Sequence, residues 1–144
     1  MNNNFFNQIS TDLVVGIPGS ELKSFFSKAS LTIIPSREDE ALAISSGLTL
    51  NGVDNIVVIQ SSGAGNIINA LSSFILPYNI PLKILISLRG GELENNEAQK
   101  ILGSKLIKIL LALELNILVI NRLGEILKEY KNPKYKTNIY IYTI

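Results

Sequence analysis

The stretch IVVIQSSGAGNIINALSSFILP, residues 56–77, decides the fold class. Its opening IVVIQ is β-branched and uninterrupted, as in a strand covered on both faces. SSGAGN follows at once, and IINALSSFILP then reads as a helix ending near Pro77. Strand, glycine turn and helix in direct succession form the building unit of an α/β domain. Glycine permits positive φ and close backbone approach, and the free N–H groups at a helix start can receive anions or carbonyls. SSGAGN lacks the lysine of a phosphate-binding Walker loop, and GxG alone is a thin dinucleotide fingerprint. A tight structural turn and a ligand-facing loop are both open readings. Its place after a strand favours the second, because open α/β sheets bind ligands there.

The same alternation continues in both directions. Upstream, LVVGI (13–17) and LTIIP (31–35) read as strands. Between them, ELKSFFSK reads as a short helix with Leu22, Phe25 and Phe26 on one face. A second helix is predicted over 39–50. Downstream, KILISL (83–88), ILVIN (117–121) and NIYIYTI (138–144) are strands, giving six in all. RGGELENNE (89–97) is a polar loop, 98–113 a helix and LGEILKEYK (123–131) another helix. The final strand alternates more than the others, which suggests an edge. KNPKYKTN (131–138) is a connection, so residues 1–144 are expected to form a single domain.

Composition removes several chemistries. The 144 residues contain no cysteine and no histidine. Disulfides, thiolate catalysis, cysteine or histidine metal ligands and His-based triads are therefore excluded. Thirteen basic residues against twelve acidic ones give a net charge of +1, with no basic excess for nucleic acid. The first residues, MNNNFFNQISTD, lack the pattern of a signal peptide. The most apolar run, KLIKILLALELNILVI (105–120), is interrupted by charges. A soluble cytoplasmic protein, bound neither to membrane nor to nucleic acid, is the expectation. Charge is only 17% and mean hydropathy is +0.29, consistent with some apolar surface being covered by a partner.

Two further segments carry charge in a loop or at a helix start. RGGELENNE places Arg89 where it could pair with an anion, or simply in a solvated loop. SREDEALAISSG (36–47) has Glu38, Asp39 and Glu40 in succession before an apolar run. Acids in a first helical turn complement the helix dipole. Periodicity does not choose among the three.

Together these segments resemble the pyrimidine-binding domain of thiamine-diphosphate enzymes. More closely, they resemble sulfopyruvate decarboxylase alpha subunits and the N-terminal half of phosphonopyruvate decarboxylases. The family spacing of Glu, Ala three later and Gly nine later stands here as Glu38, Ala41 and Gly47. IQSSGAGNIIN (59–69) resembles the family's MQNSGLGNxxN segment. LPYNIPLKILISLRG (76–90) resembles its segment ending in TrpArgGly, with Leu88 in place of the tryptophan. IPGS (17–20) resembles its ValProCysSer turn, with Gly19 replacing cysteine. The family's AspGluProGlnHis segment stands here as Asn96, Glu97, Ala98, Gln99 and Lys100, so the histidine is replaced by lysine.

The resemblance implies a three-layer α/β domain with a mostly parallel six-stranded sheet. It implies that Glu38 is catalytic, hydrogen-bonding a ring nitrogen of the cofactor's aminopyrimidine as one member of a proton relay. The cofactor supplies the electron sink. A partly buried Glu38 would suit that role. The small residues from Ala41 to Gly47 would let the helix sit close to its neighbours and hold the carboxylate. Gly63, Ala64, Gly65 and Asn66 are the implied cofactor-binding loop, and Pro18, Ser20, Arg89 and Lys100 the implied substrate contacts. The chain has no GlyAspGly-type magnesium segment. A beta-type, diphosphate-binding partner subunit is therefore expected to hold Mg2+ and share thiamine diphosphate, in an α2β2 assembly. The implied reaction is decarboxylation of the small anionic 2-oxo acids 3-sulfopyruvate or 3-phosphonopyruvate. Those reactions belong to coenzyme M and phosphonate synthesis respectively. The alternative is a divergent, inactive or regulatory member that keeps the fold and the pairing.

Overall fold

The computed structural model describes residues 9, 11–90 and 94–143. Gly91, Glu92 and Leu93 of the RGGELENNE loop, and most of MNNNFFNQIS, lie outside the described residues.

The chain runs β1 (Leu13–Gly16), a 3-10 turn (Ser20–Leu22) and α1 (Lys23–Lys28). Then come β2 (Leu31–Ile33), α2 (Glu38–Leu50) and β3 (Ile56–Gln60). A second 3-10 turn (Ser61–Gly63) leads into α3 (Ala64–Ala70), which continues as a wider π-turn (Leu71–Ile75). β4 (Lys83–Leu88), α4 (Glu97–Ala112), β5 (Asn116–Ile120), β6 (Ile126–Tyr130) and β7 (Asn138–Thr143) complete it. The strands form one sheet in the order β2-β1-β3-β4-β7-β5-β6. All pairings are parallel except that of β5 with β6.

Three layers follow from which face each helix covers. Ala41 and Leu42 of α2, Ile67 of α3 and Leu106 and Leu110 of α4 share one core with Val57, Ile59, Ile84 and Ile86 of the sheet. Leu22, Phe25 and Phe26 pack on the opposite face against Val14, Ile56, Val58 and Leu85. Each aliphatic side chain so buried contributes about 1.5–3 kcal/mol of transfer free energy.

Among the described residues the sheet has seven strands rather than six, because the segment expected as a helix over 123–131 forms the hairpin strand β6. Its apolar residues Leu123, Ile126 and Leu127 have helical spacing, but all three are exposed. The turn chemistry wins. Asn121 Oδ1 accepts from the N–H groups of Leu123 and Glu125, and Gly124 takes φ +79°.

The terminal strand is also not an edge: β7 lies between β4 and β5. Its alternation arises because the two faces are covered unequally. Ile139 and Ile141 enter the helix-covered core, while Tyr140 and Tyr142 meet the thinner layer on the other side.

Candidate functional site

Parallel strands bring the turns that follow β1, β2, β3 and β4 to one rim. The strand order reverses at β1, which steps out to β2 through α1 on one face and returns to β3 through α2 on the other. The crevice at such a switch point is where open α/β sheets bind ligands. At β1 and β3 the backbones meet closely. A Cβ on Gly16 would lie 1.9 Å from the Val58 carbonyl oxygen, and Ile17 N–H donates to that oxygen. Gly19 then sits beside the Gln60 side chain. Pro18 and Ser20 are exposed on this rim.

Glu38 is the first residue of α2 and is 8% exposed. Its Oε2 accepts a 2.7 Å hydrogen bond from Asn66 Nδ2. A Cβ on Gly63 would fall 1.9 Å from Glu38 Oε1, so the turn after β3 is shaped around this carboxylate. The two neighbouring acids behave as ordinary helix-start charges. Asp39 pairs with Arg37, whose hydrogen bond holds the Asp39 carboxyl below its usual range. Glu40 reaches back to accept from the backbone N–H groups of Ser36 and Arg37.

The four residues expected to form the cofactor loop divide in two. Gly63 and Asn66 meet Glu38. Ala64 is fully buried in the core, and Gly65 is exposed beside Leu102. Ala41 is buried as expected, whereas Gly47 is exposed with nothing within 4 Å of a Cβ built on it. The expectation that Gly47 serves close packing within this chain is therefore corrected; it lies on the outward side of α2.

Arg89 follows β4. Its fork donates to both oxygens of Glu94 at 3.0 and 2.9 Å, and NH1 lies 3.5 Å from Glu21 Oε1. These carboxylates raise the affinity of the guanidinium for its proton, and the Arg89 bond lowers that of Glu94. Glu21 Oε2 is buried without a hydrogen-bond partner among the described residues. Lys100 pairs with the exposed Glu97 on α4. Both expected cations thus carry carboxylate partners.

The sequence reading missed a buried link behind the loop. Ser61 Oγ donates to Gln99 Oε1 at 3.0 Å and accepts from Arg89 N–H at 3.1 Å. Close by, a Cβ on Gly103 would lie 1.7 Å from the Arg89 carbonyl oxygen. Helical spacing carried the signal: Gln99, Gly103, Leu106 and Leu110 form the buried stripe of α4.

Among the described residues, no helix is long and apolar enough to cross a membrane. No family model matches the chain. Individual proteins do. The chain is 39% identical over 106 residues to a sulfopyruvate decarboxylase of Methanosarcina acetivorans, covering 72% of this chain and 27% of that protein. It is 34% identical over 109 residues to sulfopyruvate decarboxylase subunit alpha of Methanococcus maripaludis, covering 72% and 65%. It is 32% identical over 91 residues to a phosphonopyruvate decarboxylase of Streptomyces viridochromogenes, covering 60% and 23%. The matched region thus spans less than two thirds of each of these relatives.

Proposed function

Because the chain is a homologue of sulfopyruvate decarboxylase alpha subunits and phosphonopyruvate decarboxylases, we propose that it is the alpha-type subunit of a split, thiamine-diphosphate-dependent decarboxylase. The observation that carries this reading is the buried Glu38 carboxylate, clasped between Gly63 and the Asn66 amide at the strand-order reversal.

The residues fit the pyrimidine end of thiamine diphosphate. Glu38 has one side-chain donor among the described residues, at Oε2, which leaves the carboxyl group with capacity to bond a ring nitrogen. When bound, the cofactor supplies the electron sink for loss of CO2 from a 2-oxo acid. This chain's part is to hold and exchange a proton at Glu38. The Asn66 amide and the bare Gly63 Cα fix where the carboxylate stands. The diphosphate and its Mg2+ are assigned to a separate beta-type subunit, in a cytoplasmic α2β2 complex. The name "subunit alpha" carried by one relative supports a second subunit.

The substrates proposed are 3-sulfopyruvate and 3-phosphonopyruvate. Pro18 and Ser20 border the approach, and Arg89 and Lys100 are the cations assigned to the second anionic group. Binding at Arg89 would exchange the Glu94 carboxylate for a sulfonate or phosphonate, both suited to its planar fork.

One observation favours the second reading, a divergent non-catalytic subunit: neither Arg89 nor Lys100 is without a carboxylate partner. The test is CO2 release by the chain combined with its beta-type partner, thiamine diphosphate and Mg2+, offered each substrate in turn. Turnover of either supports the decarboxylase. An assembled complex that turns over neither supports the second reading.

A further inference from the structure

Gln99 is 4% exposed on α4, and its side-chain oxygen accepts from the hydroxyl of Ser61, itself fully buried. Ser61 opens the three-residue turn that ends at Gly63. Gly63 stands against Glu38 Oε1, and three residues further Asn66 holds Oε2. The turn is thus pinned at one end by Gln99 and grips the carboxylate at the other. One residue, Ser62, separates the two ends, so a displacement at Ser61 passes almost directly to Gly63.

We infer that Gln99 is a positioning residue for Glu38, acting through Ser61 and the Ser61–Gly63 turn. Its bearing on turnover rests on the decarboxylase reading; its bearing on the place of the carboxylate does not. Loss of the Gln99 acceptor would not leave the Ser61 hydroxyl stranded. The Arg89 carbonyl oxygen is 3.3 Å away and can take its proton instead. The hydroxyl would swing toward Arg89, shifting the turn without unfolding the chain.

The test is Gln99→Met, which keeps the length and removes the acceptor. The first readout is the Asn66 side-chain NH2 signal in 15N-labelled full-length chain, since that amide is bonded to Glu38. Its hydrogen exchange should speed up about tenfold, the equivalent of about 1.4 kcal/mol lost from that bond. Lys108→Ala, on the exposed side of the same helix, should leave the signal unchanged. Ser61→Ala removes the same bond from the other side and should reproduce the change; it decides the matter if Gln99→Met does not fold. In the active complex, both variants should lower kcat and leave substrate KM unchanged, and the double variant should lose no more than either alone. Asn66 signals identical to wild type in a folded variant would overturn the inference, as would additive losses of kcat. A wild-type complex without decarboxylase activity would defeat the functional reading and leave this one to the Asn66 signals.

Discussion

The Asn66 side-chain amide donates a 2.7 Å hydrogen bond to Glu38 Oε2 across 28 residues of sequence. It joins the first turn of α2 to the first turn of α3, and so couples two loops that follow different strands. The bond is charge-assisted and partly buried, which makes it stronger than a neutral pair. Asn66→Leu keeps most of the volume and removes the donor. Turnover should fall about tenfold or more, the equivalent of one such bond at about 1.5–3 kcal/mol. Steady-state kinetics of the assembled complex checks this; an unchanged kcat contradicts it.

Two glycine substitutions should separate site geometry from fold stability. A Cβ at Gly63 meets the end of the Glu38 side chain, which can move aside. Gly63→Ala should therefore displace the carboxylate and cut activity while lowering Tm only slightly. A Cβ at Gly103 meets the Arg89 backbone carbonyl at 1.7 Å, which cannot move cheaply. Gly103→Ala should destabilise the chain by about 1–3 kcal/mol or more. Thermal melts beside activity assays distinguish the two patterns.

The Arg89–Glu94 pair should show an acid-side pH dependence. The Arg89 hydrogen bond, and then the Asn96 N–H, hold the Glu94 carboxyl below its ordinary value of 4.5. A group whose pKa is lowered by folding adds stability above the unfolded value and loses it as pH falls through the folded one. The stability gap between wild type and Glu94→Gln should be full at neutral pH and close as pH falls below about 4. Denaturant titrations across that range measure it; a gap that widens in acid contradicts the assignment.

Glu38 should stand apart from its neighbours. Asp39 and Glu40 are engaged at the helix start, with Arg37 and with backbone N–H groups. Asp39→Asn and Glu40→Gln should leave kcat within about threefold and cost at most about 1 kcal/mol of stability, the scale of a helix-terminal charge. A crippling effect of either on turnover would mean the wrong carboxylate has been assigned.

The parallel sheet was legible because β1, β3 and β4 are continuous apolar runs bounded by glycine or proline. The β6 hairpin was not, because Leu123, Ile126 and Leu127 repeat at helical spacing while Asn121 and Gly124 set a tight turn. The place of β7 was hidden too: alternation of Ile139 and Ile141 with Tyr140 and Tyr142 suits either an edge or a strand with unequal faces. At the site, the family resemblance and not periodicity singled out Glu38 from two adjacent acids, and the structure gives it a different environment from theirs. Sequence did not disclose that Glu94 and Glu21 surround Arg89, since those partners are brought together only by the turns after β1 and β4. Nor did it disclose Gln99, whose role depends on which side of α4 faces the Ser61 turn.

The central claim is that Glu38 exchanges the proton on which the chemistry depends. The most direct test is turnover of the Glu38→Gln complex with its partner, thiamine diphosphate and Mg2+, alongside a sedimentation measurement of assembly. The side chain keeps its shape and loses its ionisable carboxyl. Assembly should be intact and kcat should fall by about 100-fold or more, the range of a positioned acid–base group. Normal turnover by an assembled Glu38→Gln complex would contradict the account.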